Sequence, residues 1–361
     1  MGIPVLGPDV NESLYDFAVN RKGEIRFGLG AIKGVGENAV IAIIEDRTAS
    51  GPYKDIFDLT RRVTSKAANK KCLESLAQSG AFDCFEGIHR AQYFASDAKD
   101  PLPGIERAAR FGNAMSAQQS TMQNTLFGED HQDNVATPVL ANCEPWNSLE
   151  KLKREKEVIG FYISGHPLDE YRFEIASFCT HKIDQLNDLE KLKNKDITIA
   201  GILTEVNHRM SKMGKPFGTF TIEDYTGSCQ MALFGEDYGK MREFLVQESF
   251  VYIKAKVQSR YNSPDQFEAK PTTIQYLSDI SDKLAKSITL KVPLHAISDK
   301  FLSDLNTTLN NSPGNCVVKF NILDPEEQIS LELPSKRMKI KINKDLISQL
   351  DGFKELEYKL N

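Results

Sequence analysis

The sequence Lys33-Gly34-Val35-Gly36 stands immediately before a helical pattern that opens at Glu37. Glycines let the backbone turn tightly, and the start of a helix aims unpaired amides and the positive dipole end outward, which suits a phosphate. Lys33 adds a full charge, although a plain helix-start turn has the same pattern. A second cationic feature tips the reading toward DNA-backbone contact: Arg61, Arg62, Lys66, Lys70 and Lys71 lie between Thr60 and Cys72 with no acidic residue among them.

Two further sets of residues suggest grasping rather than bond-making. Gln123-Asn124-Thr125-Leu126-Phe127 places an apolar pair in a stretch otherwise rich in Gln, Ser, Thr, Asn and Asp. Outside a core, Leu126 and Phe127 either dangle or fill a pocket on another protein, with the Gln123 amide fixing register, so the string reads as a docking peptide. Later, His208 to Lys215 reads as a long cationic loop ahead of Phe217. Arg209, Lys212, Lys215, Lys254, Lys256 and Arg260 are candidates for holding a single-stranded backbone, and Phe217, Tyr261 and Tyr252 for stacking under bases, Tyr252 being as suited to a core. The segment 195–270 carries ten basic and ten acidic residues, so such binding is expected to be weak and salt-dependent.

Catalytic constellations are missing from the sequence. Two-metal nucleotide transfer needs clustered carboxylates, commonly as Asp-x-Asp on a strand, and no Asp-x-Asp occurs in the sequence. Nor is there a P-loop, a Gly-x-Ser-x-Gly or a His-Glu-x-x-His. His166 between Gly165 and Pro167 reads as a structural helix-end residue. No catalytic residue and no metal ligand set is therefore assigned. The six cysteines are scattered without Cys-x-x-Cys spacing, which predicts reduced thiols, no structural metal and a cytoplasmic setting. A net charge of −5 from 45 basic and 50 acidic residues means that any nucleic-acid surface must come from local clustering. No apolar run reaches membrane-spanning length, so no membrane partner is expected.

These residues need scaffolds, and 361 residues exceed what one core usually supports. The expected fold class is multidomain α+β. Residues 1–115 read as a helical region, with Val40, Ile43 and Ile44 on one face and a second helix over 71–78 stopped by Gly80. Residues 116–145 have the composition of a flexible linker, and 146–190 that of a helical connector containing a charged helix over 148–164. Over 195–280 the pattern alternates, with strands at 197–206, 217–223, 228–234, 249–257 and 267–275 and a helix near 238–245. Five strands with a helix after the third is the order of an OB-fold barrel. Residues 286–361 read as a small α/β unit with strands at 288–292, 316–322, 329–333 and 339–342. Residues 2–6 read as a short buried strand with nothing ahead to pair with, as though the chain begins inside a larger protein.

Four strings in this order resemble the C-family replicative polymerases, the alpha subunits of bacterial DNA polymerase III. They are Gly2-Ile3-Pro4-Val5-Leu6 with Pro8-Asp9-Val10-Asn11; the run from Ile25 to Gly36; Leu76-Ala77-Gln78-Ser79-Gly80-Ala81-Phe82-Asp83; and Gly160-Phe161-Tyr162-Ile163-Ser164-Gly165-His166-Pro167-Leu168. The resemblance covers nearly the whole chain and is most specific before residue 170. It implies a tandem helix-hairpin-helix region gripping duplex DNA through Lys33 to Gly36. It implies an internal peptide, Gln123 to Phe127, that docks in the sliding clamp (beta), a barrel near single-stranded template, and a final unit that contacts the clamp-loader tau subunit. The catalytic palm with its magnesium-binding aspartates lies, in that family, ahead of the region resembled, in the rest of the alpha subunit. No cofactor is expected on this chain, and polymerase activity does not carry over to it alone. The barrel by itself would also fit an RNA-binding module of a tRNA synthetase-like protein, but no class II synthetase motif is recognisable.

Overall fold

The computed structural model describes residues 3–98, 100–124, 136–260, 263–324 and 327–360, the side chains of 119–124 and 264 apart. The chain divides into two compact units, Met1–Pro167 and Leu168–Asn361.

The first unit opens with three two-residue strands, β1 (Val5–Leu6), β2 (Ala18–Val19) and β3 (Ile25–Arg26), in the order β1-β3-β2. Helix α1 (Glu37–Ser50) buries Ala39, Val40 and Ile43, the spacing of one helical face. Helix α2 (Ile56–Arg62) is capped by Asp55, whose carboxylate accepts the Asp58 amide at 2.7 Å. Helix α3 (Lys70–Ser79) is capped by Asn69 and stopped by Gly80 in the left-handed conformation, with φ 87°. Helix α5 (Ser148–Ile159) buries Leu152, Glu155 and Val158.

Helix α4 (Gly104–Asn124) departs from the expected linker, because it continues through Ser116 to Asn124. Its anchor is apolar, with Phe111 meeting Phe57 of α2 edge-on at 5.9 Å. Beyond that anchor, Ala117, Gln118, Met122 and Gln123 are strong helix formers, so the helix propagates over a polar stretch that composition alone assigns to coil.

One buried node ties the recognised strings together. The Arg90 guanidinium donates to Asp83 at 2.7 Å, to the Gln78 carbonyl at 3.1 Å and to Glu155 at 3.1 Å. Glu155 is 1% exposed and also accepts the Ile163 and Ser164 amides and the Ser164 hydroxyl, at 2.7, 2.8 and 2.8 Å. Its carboxylate is thus fully hydrogen-bonded, the condition under which a buried charge is tolerated. A β-carbon on Gly80 would lie 2.0 Å from Arg90 Nη2. The glycine of Leu76 to Asp83 therefore lies against Arg90, and the serine of Gly160 to Leu168 is held by Glu155, the carboxylate paired with that arginine.

The second unit begins with α6 (Arg172–Phe178) and a tight helical stretch, Ile183–Leu192. Strands β4 (Asp196–Met210), β5 (Pro216–Glu223), β6 (Ser228–Phe234), β7 (Phe250–Arg260) and β8 (Ser263–Tyr276) form an antiparallel sheet in the order β6-β5-β4-β7-β8. Helix α7 (Gly235–Met241) links β6 to β7. Alternate residues point into one core that includes Ile197, Ile199, Phe220, Ile222, Met231, Val251 and Ile253. This is the OB-fold arrangement. After α8 (Ile280–Leu284) come β9 (Ser287–Pro293), α9 (Asp299–Asn310), β10 (Pro313–Asp324), β11 (Ile329–Ile340), α10 (Lys344–Asp351) and β12 (Glu357–Leu360). They build a mixed sheet in the order β11-β10-β9-β12, in which β9 and β10 run parallel. The architecture is multidomain α+β, as the alternating and helical periods predict.

Two strand readings are corrected. The expected strands 329–333 and 339–342 are one strand, β11, broken in register where Val317 faces Lys339 and Lys319 faces Pro334. The strand carries Pro334 at that break, since an edge strand accommodates proline through an irregularity in the ladder. Strand β12 was not anticipated, because Glu357-Tyr358-Lys359-Leu360 is too short to display a period.

Candidate nucleic-acid interface

In the first unit the Lys33 to Gly36 turn is held from below. The Lys33 amide donates to the Val158 carbonyl at 2.8 Å, and Gly34 has φ 89°. A β-carbon there would meet Ser75 Oγ at 2.7 Å and Lys71 Cε at 3.8 Å. The turn therefore rests on α3, with exposed Lys33 and Lys71 on either side of it. Gly36 is the N-cap of α1, and Val35 is buried as the hydrophobic plug beneath the turn. The acidic Glu37 occupies the first turn of the helix, which lowers the attraction of this end for an anion.

The five-cation run divides into different environments. Lys66 is exposed between α2 and α3. Arg61 pairs with Asp58 at 2.7 Å, and Lys70 pairs with Glu106 at 2.9 Å. Arg62 faces inward. It pairs with Asp46 at 2.7 Å and Asp58 at 3.1 Å, donates to the Gly51 carbonyl at 2.8 Å and stacks over the Tyr53 ring at 4.3 Å. Burial opposes its charge, but these carboxylates outweigh it and raise its pKa. Asp58 is lowered despite its own burial, because Arg61, the Lys54 amide and Arg62 hydrogen-bond to it. An arginine locked on all sides serves the fold. Its acidic partners come from α1 and α2, so a window free of acids in sequence is not free of acids in space.

In the barrel, the first three residues of the expected loop 208–215 are strand and the other five are the turn. His208, Arg209 and Met210 pair with Gly218, Phe217 and Pro216. Only 211–215 turn, closed by the Ser211 amide donating to the Lys215 carbonyl at 2.8 Å and the Lys215 amide to Ser211 Oγ at 3.0 Å. The arm is tied down by the His208 ring, 3.0 Å from Tyr238 Oη and 3.2 Å from the Leu245 carbonyl. Cationic loops suggest coil, yet two-residue alternation through His208 and Met210 allows the ladder to run on.

Register then defines the outer face. Arg209 stands opposite Phe217, and Phe217 opposite Phe234, so the three share one face across β4, β5 and β6. The two rings stack with centroids 5.5 Å apart and planes 20° from parallel. Phe234 is 62% exposed. Thr219, Thr221, Gln230 and Ala232 continue the face, with Phe220, Ile222, Met231 and Leu233 buried behind it. Beside it a groove of about 640 Å³ is bounded by Gln230, Phe234, Asp237, Arg260, Glu268 and Lys270, among others. Lys270 pairs with Asp237 at 2.9 Å, which leaves the groove of mixed charge.

Other candidates lie elsewhere. Exposed Lys254 and Lys256 sit on β7, separated from β5 and β6 by β4. Tyr252, a possible stacking residue, is 2% exposed among Leu168, Ala200, Leu277 and Ile280, and its hydroxyl donates to the Phe178 carbonyl at 3.4 Å. Lys212 and Lys215 are exposed at the arm's tip, and Arg260 at the end of β7. Gln123 lies in the last turn of α4, its side chain outside the described residues, as are Leu126, Phe127 and Tyr261. Phe234 was not picked out in the sequence, although the alternation of 228–234 marks it: it falls on the opposite parity to Met231 and Leu233 and is therefore outward. Among the described residues no three His, Cys, Asp or Glu side chains converge as a metal site, and no helix is long and apolar enough to cross a membrane.

Family comparisons follow the same divisions. Residues 2–93 match the helix-hairpin-helix motif model, 197–277 the OB-fold nucleic acid binding domain model, and 288–361 the model of the DNA polymerase III alpha subunit, C-terminal domain. The chain matches the C-terminal region of the DNA polymerase III alpha subunit. The alpha subunit of Escherichia coli K12 is 32% identical over 314 residues, covering 86% of this chain and 26% of that protein. That of Pasteurella multocida is 29% identical over 360 residues, covering 93% of this chain and 30% of that protein. The chain thus spans about a quarter of the length of the alpha subunits it matches. Among solved structures, the mitochondrial single-stranded DNA binding protein Rim1 of S. cerevisiae aligns at 13% identity and a TM-score of 0.19, covering 23% of this chain and 95% of that one.

Proposed function

We propose that this chain is the non-catalytic, nucleic-acid-holding region of a replicative polymerase alpha subunit. The observation that carries the proposal is the row Arg209, Phe217, Phe234 on the outer face of β4 to β6. OB-folds take single strands on this face and its flanking loops, with rings under bases and cations on phosphates. Lys212, Lys215 and Arg260 supply further charge at the edges, while Glu268 and Asp237 restrain it. Duplex contact falls to Lys33, the Gly34 to Gly36 turn, Lys66 and Lys71, with Arg61 and Lys70 secondary because carboxylates already engage them.

The remaining roles extend this reading. Gln123, Leu126 and Phe127 dock in the sliding clamp (beta), and the C-terminal α/β domain meets the clamp-loader tau subunit. Both raise the local concentration of polymerase at DNA without new chemistry. The test is fluorescence anisotropy with labelled single strands. Phe234→Ala is expected to weaken binding by about 1–3 kcal/mol, the worth of one stacked base. With three or four phosphates engaged, log K falls against log salt with a slope of about −2 to −3. Unchanged affinity in Phe234→Ala, or a flat salt response, refutes the assignment of this face. A preference for RNA over DNA of the same sequence would favour the synthetase-like alternative.

A further inference from the structure

The two faces of the sheet in the C-terminal α/β domain differ in kind. On one, Leu290, Val318 and Ile340 share a core with Leu309 of α9 and Leu350 of α10. Residues of the other parity form three rows across the second face. In the first row Val317 stands between Ser287 and Lys339. In the second, Thr289 and Lys319 lie between Lys359 and Pro334, and in the third, Lys291 and Asn321 lie between Glu357 and Glu332. Beside the first row β11 swells: it runs through Ser335, Lys336, Arg337 and Met338 where β10 has only Val318. The Ser335 hydroxyl accepts the Met338 amide at 3.0 Å, closing a bulge that presents Lys336 and Arg337 to solvent. Lys286 reaches the same end, since its carbonyl accepts the Val317 amide at 3.1 Å.

Residues 286–361 carry eleven basic and ten acidic residues, so this gathering of cations is a matter of position and not of composition. Neutralisation is uneven along the face. Glu332 pairs with Lys319 at 3.1 Å and Glu357 with Lys291 at 3.8 Å. Lys286, Lys336, Arg337, Lys339 and Lys359 are exposed and pair with no carboxylate among the described residues. We propose that this end of the sheet, with its bulge, is a third nucleic-acid contact and takes the phosphate backbone, in the domain to which the proposed function gives only a protein partner. Cations and hydroxyls suffice to hold a backbone without reading its bases. The three rows contain no ring on which a base could stack. A protein partner would need a central aromatic or aliphatic anchor, whereas the middle of this end is Val317, half-buried between Ser287 and Lys339.

Hydrogen exchange of the full chain is the test, with a short duplex, a single strand of the same length, and polyglutamate as a protein-like polyanion. Amides of 334–341 are expected to be protected by DNA and not by polyglutamate. In Lys336→Gln with Arg337→Gln and Lys339→Gln, duplex affinity read by fluorescence anisotropy is expected to fall about tenfold at low salt. The slope of log K against log salt becomes shallower by about 2 to 3, three phosphates at roughly 0.9 each. Lys336→Arg with Lys339→Arg keeps both quantities at wild-type values. All three side chains are exposed, and an unchanged circular dichroism spectrum confirms the fold. Protection at 334–341 is expected to persist in Phe234→Ala, so this inference and the reading of the barrel fail separately. Stronger protection by one form of DNA supports the proposal and identifies that form as the source of the backbone. Wild-type affinity and slope in the triple glutamine variant would overturn it, leaving the cations only to keep an edge strand from pairing with another chain. Equal protection by polyglutamate would also overturn it and make an acidic protein segment the occupant.

Discussion

Gly80 and Arg90 are predicted to act as one unit, and a double-mutant cycle measures it. Gly80 has φ 87°, a conformation that costs a residue with a β-carbon about 1–2 kcal/mol. The added methyl would also lie 2.0 Å from Arg90 Nη2. An arginine tip usually swings aside, but here it is held by Asp83, Glu155 and the Gln78 carbonyl, so making room breaks that set. Removing one partner of a buried pair costs roughly 3–5 kcal/mol, because the other charge is left buried. Glu155 retains three other hydrogen bonds, from Ile163 and Ser164, which places the penalty near the lower end. Gly80→Ala in the wild type is therefore expected to destabilise by about 4–6 kcal/mol, and in an Arg90→Ala background by only about 1–2 kcal/mol. Urea unfolding followed by fluorescence of Trp146 is the assay. It is the single tryptophan of the chain, packed against Phe94 at 5.3 Å and under Arg154 at 4.3 Å, so it reports on the first unit. Equal penalties in both backgrounds would refute the coupling and reduce Gly80 to a local backbone requirement.

Three other outcomes are expected. Leu126→Ala with Phe127→Ala abolishes association with the sliding clamp in a calorimetric titration without moving the thermal midpoint; a lowered midpoint would place the pair in a core. Asp58 has a folded pKa below its ordinary 3.8, so the stability it contributes is complete above that value and is lost as pH falls through the depressed one. Asp58→Asn is accordingly less stable at neutral pH and has a shallower acid transition, measured by fluorescence between pH 6 and 2; an unchanged acid limb would contradict the assignment. Burial pushes the Cys72 thiol up to about 11 and those of Cys84 and Cys179 up to about 12, so iodoacetamide at pH 8 modifies them slowly in the native chain and quickly in urea.

Local patterns gave reliable elements wherever one residue set its own geometry. Gly80 stops α3 and the alternation of 217–223 and 228–234 places β5 and β6, all readable from short stretches. Tertiary partners were not readable in the same way. Arg62 looks identical to Lys66 along the chain, and only folding brings Asp46 from α1 to neutralise it. Tyr252 and Phe217 are both aromatics in strands, yet one lies under α6 and α8 residues and the other faces out, a difference set by which face the rest of the unit covers. Phe234 shows its outward parity in the sequence but not its role, because its partners Phe217 and Arg209 arrive only through register. Glu155 and Arg90 carried no sequence signal beyond the strings around them.

The seat of Gly34 on Ser75 constrains how this family can drift. Oxygen and glycine share a space in which a β-carbon would already be 2.7 Å from its neighbour, so any side chain at position 75 larger than serine levers the turn and its flanking lysines off α3. Alanine or glycine at 75 would fit the same space, and the solvent-facing charge at 66 is not bound by it, whereas position 34 is. Two sites 41 residues apart in sequence thus inherit a joint size limit, and an alignment of descendants should record it as paired smallness rather than as a shared chemical type.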